Sequence, residues 1–339
     1  MRPRPLPDVA GLRHPADTAP RSFAPPRRRV GPTLARLSSI PSLIVGSTIL
    51  LFYVVVALVA LQQDFGHLGS LTLDPVLATN PFPPGPSAAH PFGEMSGIGV
   101  DEFRALLQAT PWDLAMFGGI LCIGPVVGAV LGAYAGLRAG LVRETVSSVS
   151  DLVVAVPPFF LVWVVVLNLD LVVPPSDFVL IFIVIFAGTL TWGHARAVLS
   201  AARIISGQPF VEAARANGAS DTRVLLRHVL PNSFSAVLAQ VPVDVFSIVF
   251  LLTAFPFVGC VDVQQLQALG SFTFATPFPT APFPEWGSLL ASGACYGLNV
   301  VFPLTTWWMW FFPTLTIVLF AAGVTLTSEG VQRYLLPRG

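Results

Sequence analysis

The chain has 339 residues, 54% of them hydrophobic and only 11% charged, against roughly 25% charged in a soluble domain. Its formal net charge of zero gives no basic excess for nucleic acid, and its three cysteines are too few for a disulfide scaffold and have no metal-ligand spacing. With a mean hydropathy of +0.74 and several apolar runs at or above the ~18–20 residues that cross a bilayer as a helix, the chain reads as an all-α polytopic membrane protein.

Residues 1–40 are rich in Pro, Arg and Ala without apolar periodicity, which predicts a disordered tail. Arg27, Arg28 and Arg29 precede the first apolar run, Leu43 to Leu61. A twin-arginine export signal competes here with a first membrane helix over 41–62. The length of the run and the lack of a small-x-small cleavage site favour the helix. Residues 63–111 are polar and broken by Pro and Gly, which predicts an extracytoplasmic loop. Within it, Asp101 to Gln108 predicts a short amphipathic helix that stops before Pro111.

The core, residues 112–330, opens with a second span over Trp112 to Leu137. Gly124, Gly128, Gly132 and Gly136 repeat every four residues, so they share one helix face where another helix can approach closely. Packing and pore lining are both open readings of that stripe, and Pro125 predicts a kink. A third span over Val149 to Leu169 contains Pro157 and Pro158. A fourth over Phe178 to Leu199 carries His194 and Arg196 at its end, which places His194 at the cytoplasmic interface. A fifth, Phe234 to Val258, contains Pro242 and Asp244. Gly259 to Thr306 reads as irregular, and a sixth span covers Trp307 to Thr327, with Trp307, Trp308 and Trp310 in the place of an interfacial belt. Residues 331–339 form a tail.

Six spans leave both termini on one side. All but one of the 18 arginines, Arg104 being the exception, then fall on that side, which the positive-inside rule makes cytoplasmic.

The largest charged island lies between spans four and five, PFVEAARANGASDTRVLLRHVLP from Pro209 to Pro231. Pro209 suits a first helical turn, Gly218 a helix stop, and Ser220 an N-cap with Asp221 at the positive end of the next helix. The pattern predicts two short surface helices within 209–230, the second ending before Pro231. Leu225 and Val229 share one face of it, and Arg223 and Arg227 another. Glu212 and Arg215 stand at pairing distance on the first helix, and Ala213, Ala214 and Ala216 keep it thin enough to lie in a groove. A solvated loop that only orients its flanking spans is the other reading of these residues.

Asp244 lies near the middle of span five. An intramembrane carboxylate marks a candidate translocation pathway, to which Pro157 and Pro158 are added as candidates; a hydrogen bond to a neighbouring Ser or Thr, or protonation, is the alternative. Cys260 and Cys295 both fall in the outer region, where a bridge can persist, and Cys122 reads as a small core residue. His90 and His194 have no second ligand at useful spacing, so no metal site is expected.

EAARANGAS followed by RHVLPNS resembles the EAA motif of ABC-importer permeases, with Glu212, Ala213, Ala214, Gly218, Leu230 and Pro231 on the pattern. HPFG at 90–93, GVDEFRALL at 99–107, SDLVVAVPPFFL at 150–161, WGHARAVLSAAR at 192–203, EWGSLL at 285–290 and WWMWFFPTL at 307–315 resemble, in order, the C-type permease of dipeptide and oligopeptide importers. The resemblance implies a type I permease fold in the cell membrane. Glu212, Ala213, Ala214, Arg215, Gly218, Ala219, Leu230 and Pro231 would then couple to a cytoplasmic ATPase. It also implies a homologous second permease, two ATPase subunits carrying ATP and Mg, and an extracytoplasmic binding protein. The permease itself holds no cofactor and hydrolyses nothing, and with no lysine the chain cannot contain a phosphate-binding GxxxxGK[ST] loop. Departures at EMSGIGVD, TAFPFVGCVD and 261–284 lie outside and leave the substrate class open. An ion-coupled secondary transporter predicts an intramembrane charge network and inverted repeats, of which only Asp244 is evident. A non-transporting scaffold or receptor subunit is the remaining alternative.

Overall fold

A computed structural model describes residues 40–62, 84–95, 100–158, 160–161, 175–268, 285–299 and 306–335. The N-terminal tail, most of the first outer loop, 162–174, which take in the end of the third span, and 269–284 lie outside the described residues. So do the side chains of Cys260 and Cys295, and with them the expected bridge.

The architecture is nearly all helical. In chain order it comprises α1 (Pro41–Gln62), β1 (Glu94–Met95), β2 (Val100–Asp101), α2 (Glu102–Leu137), α3 (Leu141–Ala155), α4 (Pro175–Ser206), α5 (Pro209–Ala216) and α6 (Asp221–Val224). A π turn over Leu225–Val229 leads into α7 (Leu230–Ala268), followed by α8 (Trp286–Asn299) and α9 (Trp308–Leu335). Five helices among the described residues are long and apolar enough to cross a membrane. The two strands pair antiparallel, Glu94 opposite Asp101, a small hairpin that the sequence reading left as loop.

The glycine stripe of α2 packs against α4. A Cβ on Gly128 would meet the Cβ of His194 at 2.6 Å, and one on Gly132 would run into the carbonyl of Ala195. Of the two readings of the stripe, close helix packing is the observed one. α1 lies along α9, where the hydroxyl of Tyr53 donates to the carbonyl of Thr316 at 2.6 Å. Tyr53, Phe117, Trp286 and Phe320 form the aromatic centre of the core, with Tyr53 and Trp286 centroids 5.5 Å apart and Trp286 and Phe320 5.3 Å apart.

Several expectations from the sequence are corrected. The predicted stop before Pro111 is absent, because α2 runs from Glu102 through Pro111 and Pro125. An interior proline costs about 3 kcal/mol in an exposed helix; here Ala105, Leu106, Ala109 and Met116 are buried on either side of it, and their packing outweighs that cost. The helix expected to end before Pro231 instead continues into α7. The π turn shifts the hydrogen-bond ladder immediately before the proline, and Asn232 Nδ2 and Ser233 Oγ donate to the carbonyls of His228 and Val229 at 2.5 and 2.9 Å. The third span begins as α3 at Leu141 and its helix stops at Ala155, ahead of Pro157. The outer region read as irregular holds α8, whose start is fixed by Ser288 Oγ donating to the carbonyl of Glu285 at 2.9 Å. Trp308 is not a belt residue. It is buried, its Nε1 donates to the carbonyl of Glu94 at 3.2 Å, and a Cβ on Gly93 (φ +81°) would lie 2.6 Å from its ring.

Candidate functional site

The segment between α4 and α7 is built almost entirely from local signals. Pro209 occupies the first turn of α5, with Glu212 close behind it. At the far end Gly218 takes φ +79°, a left-handed conformation that glycine adopts without penalty. The Gly218 N–H reaches the carbonyl of Arg215 at 2.9 Å and the Ala219 N–H that of Ala214 at 3.0 Å. This paired closure is the Schellman end of a helix. Ser220 Oγ then accepts from the Arg223 N–H at 3.4 Å and caps α6, with Asp221 in its first turn.

Three valines fasten the segment to the membrane core. Val211, Val224 and Val229 are fully buried in a cluster with Ala133, Val198, Ala202 and Val237. Each such side chain contributes about 1.5–3 kcal/mol by leaving water. The sequence reading placed Leu225 and Val229 on a common face. Both pack into this cluster, Val229 fully and Leu225 partly buried, and the π turn brings Val224, five before Val229, to the same side while Leu226 is 60% exposed. Of the three valines only Val229 stands on a face expected from the sequence. Val211 sits on an eight-residue helix too short to show periodicity, and the π turn conceals Val224.

Glu212, Ala213, Arg215 and Gly218 are exposed, Ala214, Ala219 and Leu230 are half-buried, and Pro231 is exposed. Phe210 (45% exposed) and Leu226 (60%) add apolar area to the same segment. Among the described residues no ion pair joins Glu212 to Arg215; Asp221 instead approaches Arg138 at 3.8 Å, on the surface. The result is a charged and apolar surface on a firmly anchored base. It contains no nucleophile–base pair. Among the described residues no group of three His, Cys, Asp or Glu side chains can hold a metal.

His194 is not at an interface beside Arg196. It is fully buried, with Nε2 2.6 Å from Oδ2 of Asp244, which is itself buried. Arg196 points elsewhere and pairs with Asp151 at 3.1 Å on the surface. The partner of Asp244 is thus a histidine rather than a Ser or Thr. Pro157 and Pro158 lie beyond α3, exposed and half-buried, on a different element from Asp244. Cys122 is exposed rather than a core residue.

The opposite end carries carboxylates that the sequence reading missed. Asp113 is fully buried in α2, and its Oδ2 accepts the Trp286 N–H at 2.9 Å. Glu285 is buried beside it, and burial raises its carboxyl above the usual range. Asp244 is therefore not alone inside a span. Asp113, Phe117, Ile120 and Gly124 are all buried on α2, and their helical spacing was the signal that could have found Asp113. His90 bridges two carboxylates, Nδ1 to Asp101 at 2.7 Å and Nε2 to Glu94 at 2.9 Å, and so ties the β-hairpin to the turn before it.

Comparison with known proteins matches residues 128–338 to the family of binding-protein-dependent transport system inner membrane components. A protein of Shigella dysenteriae named as a glutathione transport system permease is 30% identical over 254 residues, 75% of this chain and 74% of that one. An Escherichia coli protein named as a D,D-dipeptide transport system permease is 25% identical over 253 residues, 75% of each chain. A Brucella suis protein named as a peptide transport system permease is 31% identical over 144 residues; the match covers 42% of this chain and 41% of that one. With its bundle of apolar helices, the chain belongs to the binding-protein-dependent transport system inner membrane component family, and it is a multi-pass membrane permease of the ABC-importer type.

Proposed function

We propose that this chain is the transmembrane permease subunit of an ATP-driven importer for peptides or related small solutes. The observation that carries this reading is the segment Pro209–Val229: two short helices, the first closed by the Gly218 turn and the second capped by Ser220, held by three buried valines, with Glu212, Ala213 and Arg215 facing outward. A loop that only connected two spans would need neither the caps nor the anchors. In this reading the segment docks on a cytoplasmic ATPase, and Leu230 and Pro231 begin the helix that receives its motion. The chain crosses the membrane six times with both termini inside, the arrangement favoured by the distribution of its arginines. A homologous permease completes the pathway, two ATPase subunits bind ATP and Mg, and a binding protein delivers solute from outside. The names of the relatives supply the substrate class: peptides in two cases and glutathione in one. Asp244, Pro157 and Pro158 remain candidates for the translocation pathway.

Affinity purification of the tagged chain from its native membrane tests the reading. An ABC ATPase is expected to co-purify with the wild type and to be lost on Gly218→Val, with the chain still inserted. Retention of the ATPase by the variant, or a wild type that brings down no ATPase, would overturn it.

A further inference from the structure

We infer that His194 and Asp244 form a mid-membrane tie that makes α4 and α7 move as one lever when the segment between them is displaced. The inference rests on the importer reading above and goes beyond it by naming the positioning residues.

α4 ends at Ser206 and α7 begins at Leu230, so the docking segment hangs from both helices. Its valines share one buried cluster with both of them, with Val198 and Ala202 on α4 and Val237 on α7. A push on the segment therefore loads both helices at one end. Two helices loaded at one end splay unless something joins them further along.

His194 and Asp244 supply that join. From His194 to Ser206 is about 18 Å along α4, and from Leu230 to Asp244 about 21 Å along α7, at ~1.5 Å per residue. The two side chains therefore meet at nearly equal heights above the segment, well inside a hydrocarbon layer about 30 Å thick. They are 0% and 2% exposed and 2.6 Å apart. Among the described residues theirs is the one side-chain hydrogen bond between the two helices. One proton lies between Nε2 and Oδ2, carried by one or the other according to the tautomer. α2 backs the histidine, with no room at Gly128 for even a Cβ against it. His194 Nδ1 has no partner, and an unpartnered buried nitrogen is an expense that a purely packing role does not require.

The tie is tested with spin labels on exposed positions of the two helices beyond it, Val184 on α4 and Phe250 on α7, in the purified complex with and without ATP-vanadate trapping. The expected result is one narrow distance distribution, unchanged by trapping. In His194→Leu/Asp244→Leu, where apolar side chains of similar size replace a buried pair without orphaning either partner, the distribution is expected to broaden and shift on trapping. Asp244→Asn keeps a hydrogen-bond acceptor and is expected to behave as wild type. A wild-type distance that changes on trapping, or a double leucine variant indistinguishable from wild type, would overturn the tie. Should the leucine variant not assemble, a short bismaleimide bridge between cysteines placed at 194 and 244, in a chain lacking Cys122, Cys260 and Cys295, answers the same question. Trapping must still alter the labelling of the docking segment in the bridged complex, and arrest by the bridge would sink the proposal. Failure to recover any ATPase with the wild-type chain would instead sink the importer reading on which the tie rests.

Discussion

The two ends of the molecule are stabilised in opposite ways. At the docking segment the hydrogen bonds that shape the helices are local: Gly218 and Ala219 close α5 on Arg215 and Ala214, and Ser220 caps α6 three residues on. At the other end the bonds span the chain, Trp286 to Asp113 and Trp308 to Glu94, and four carboxylates, Glu94, Glu102, Asp113 and Glu285, are buried. An element closed by its own neighbours can offer its outer face to a partner and keep its shape. An end held by long-range buried contacts gains rigidity, and its ionisable groups become sensitive to their surroundings.

The largest expected effect lies at the cross-linked end. Trp286→Ala removes the ring that joins Tyr53, Phe117 and Phe320 and is expected to destabilise by about 3–5 kcal/mol. Thermal unfolding in detergent reads this as a large fall in midpoint, and a midpoint near wild type would break the contrast between the two ends.

Gly218→Val acts at the docking segment and by a different route. Nothing lies within 4 Å of an added Cβ there, so only the left-handed backbone is strained, by about 1–2 kcal/mol. The melting midpoint is expected to move little while ATPase co-purification fails. A large drop in global stability would mean that the segment is part of the core.

pH separates the ends further. Burial raises the Glu285 carboxyl above its ordinary value of 4.5, so the folded chain keeps a proton that the unfolded chain has released. The folded state then binds more protons, and stability falls as pH rises from 4.5 toward the raised value, by at most about 1.4 kcal/mol per pH unit. Melting midpoints across pH are expected to decline over that window and to decline less in Glu285→Gln. An identical slope in the variant would remove Glu285 from the explanation.

The smallest effect is expected from Ser220→Ala, about 0.5–1 kcal/mol for loss of an N-cap. Hydrogen exchange should accelerate over 221–224 and stay unchanged in α2 and α8. Spread of the change to those helices would show the segment to be less self-contained than its bonds imply.

This contrast also explains what was legible in the sequence. Pro209, Gly218, Ser220 and Asp221 act on residues within three or four positions, so their roles could be read from spacing alone. The glycine stripe of α2 was legible for the same reason, since its period names a face. Partners far apart in sequence left no such mark: His194 with Asp244, Asp113 with Trp286, and Trp308 with the Glu94 carbonyl. Pro111 and Pro231 misled because local proline chemistry argues for a stop, whereas buried packing in the first case and a π turn in the second carry the helix through. Val224 was hidden by that same π turn, which brings a residue five before Val229 to the inward side.

The central claim is that Glu212, Ala213 and Arg215 face an ATPase. Replacing Ala213 with a photoreactive benzoylphenylalanine in the intact membrane and irradiating it tests this directly. The expected product is a covalent adduct with an ABC ATPase subunit, diminished when ATP-vanadate changes the docking geometry. Adducts with lipid alone, or with an extracytoplasmic protein, would contradict both the docking role and the orientation.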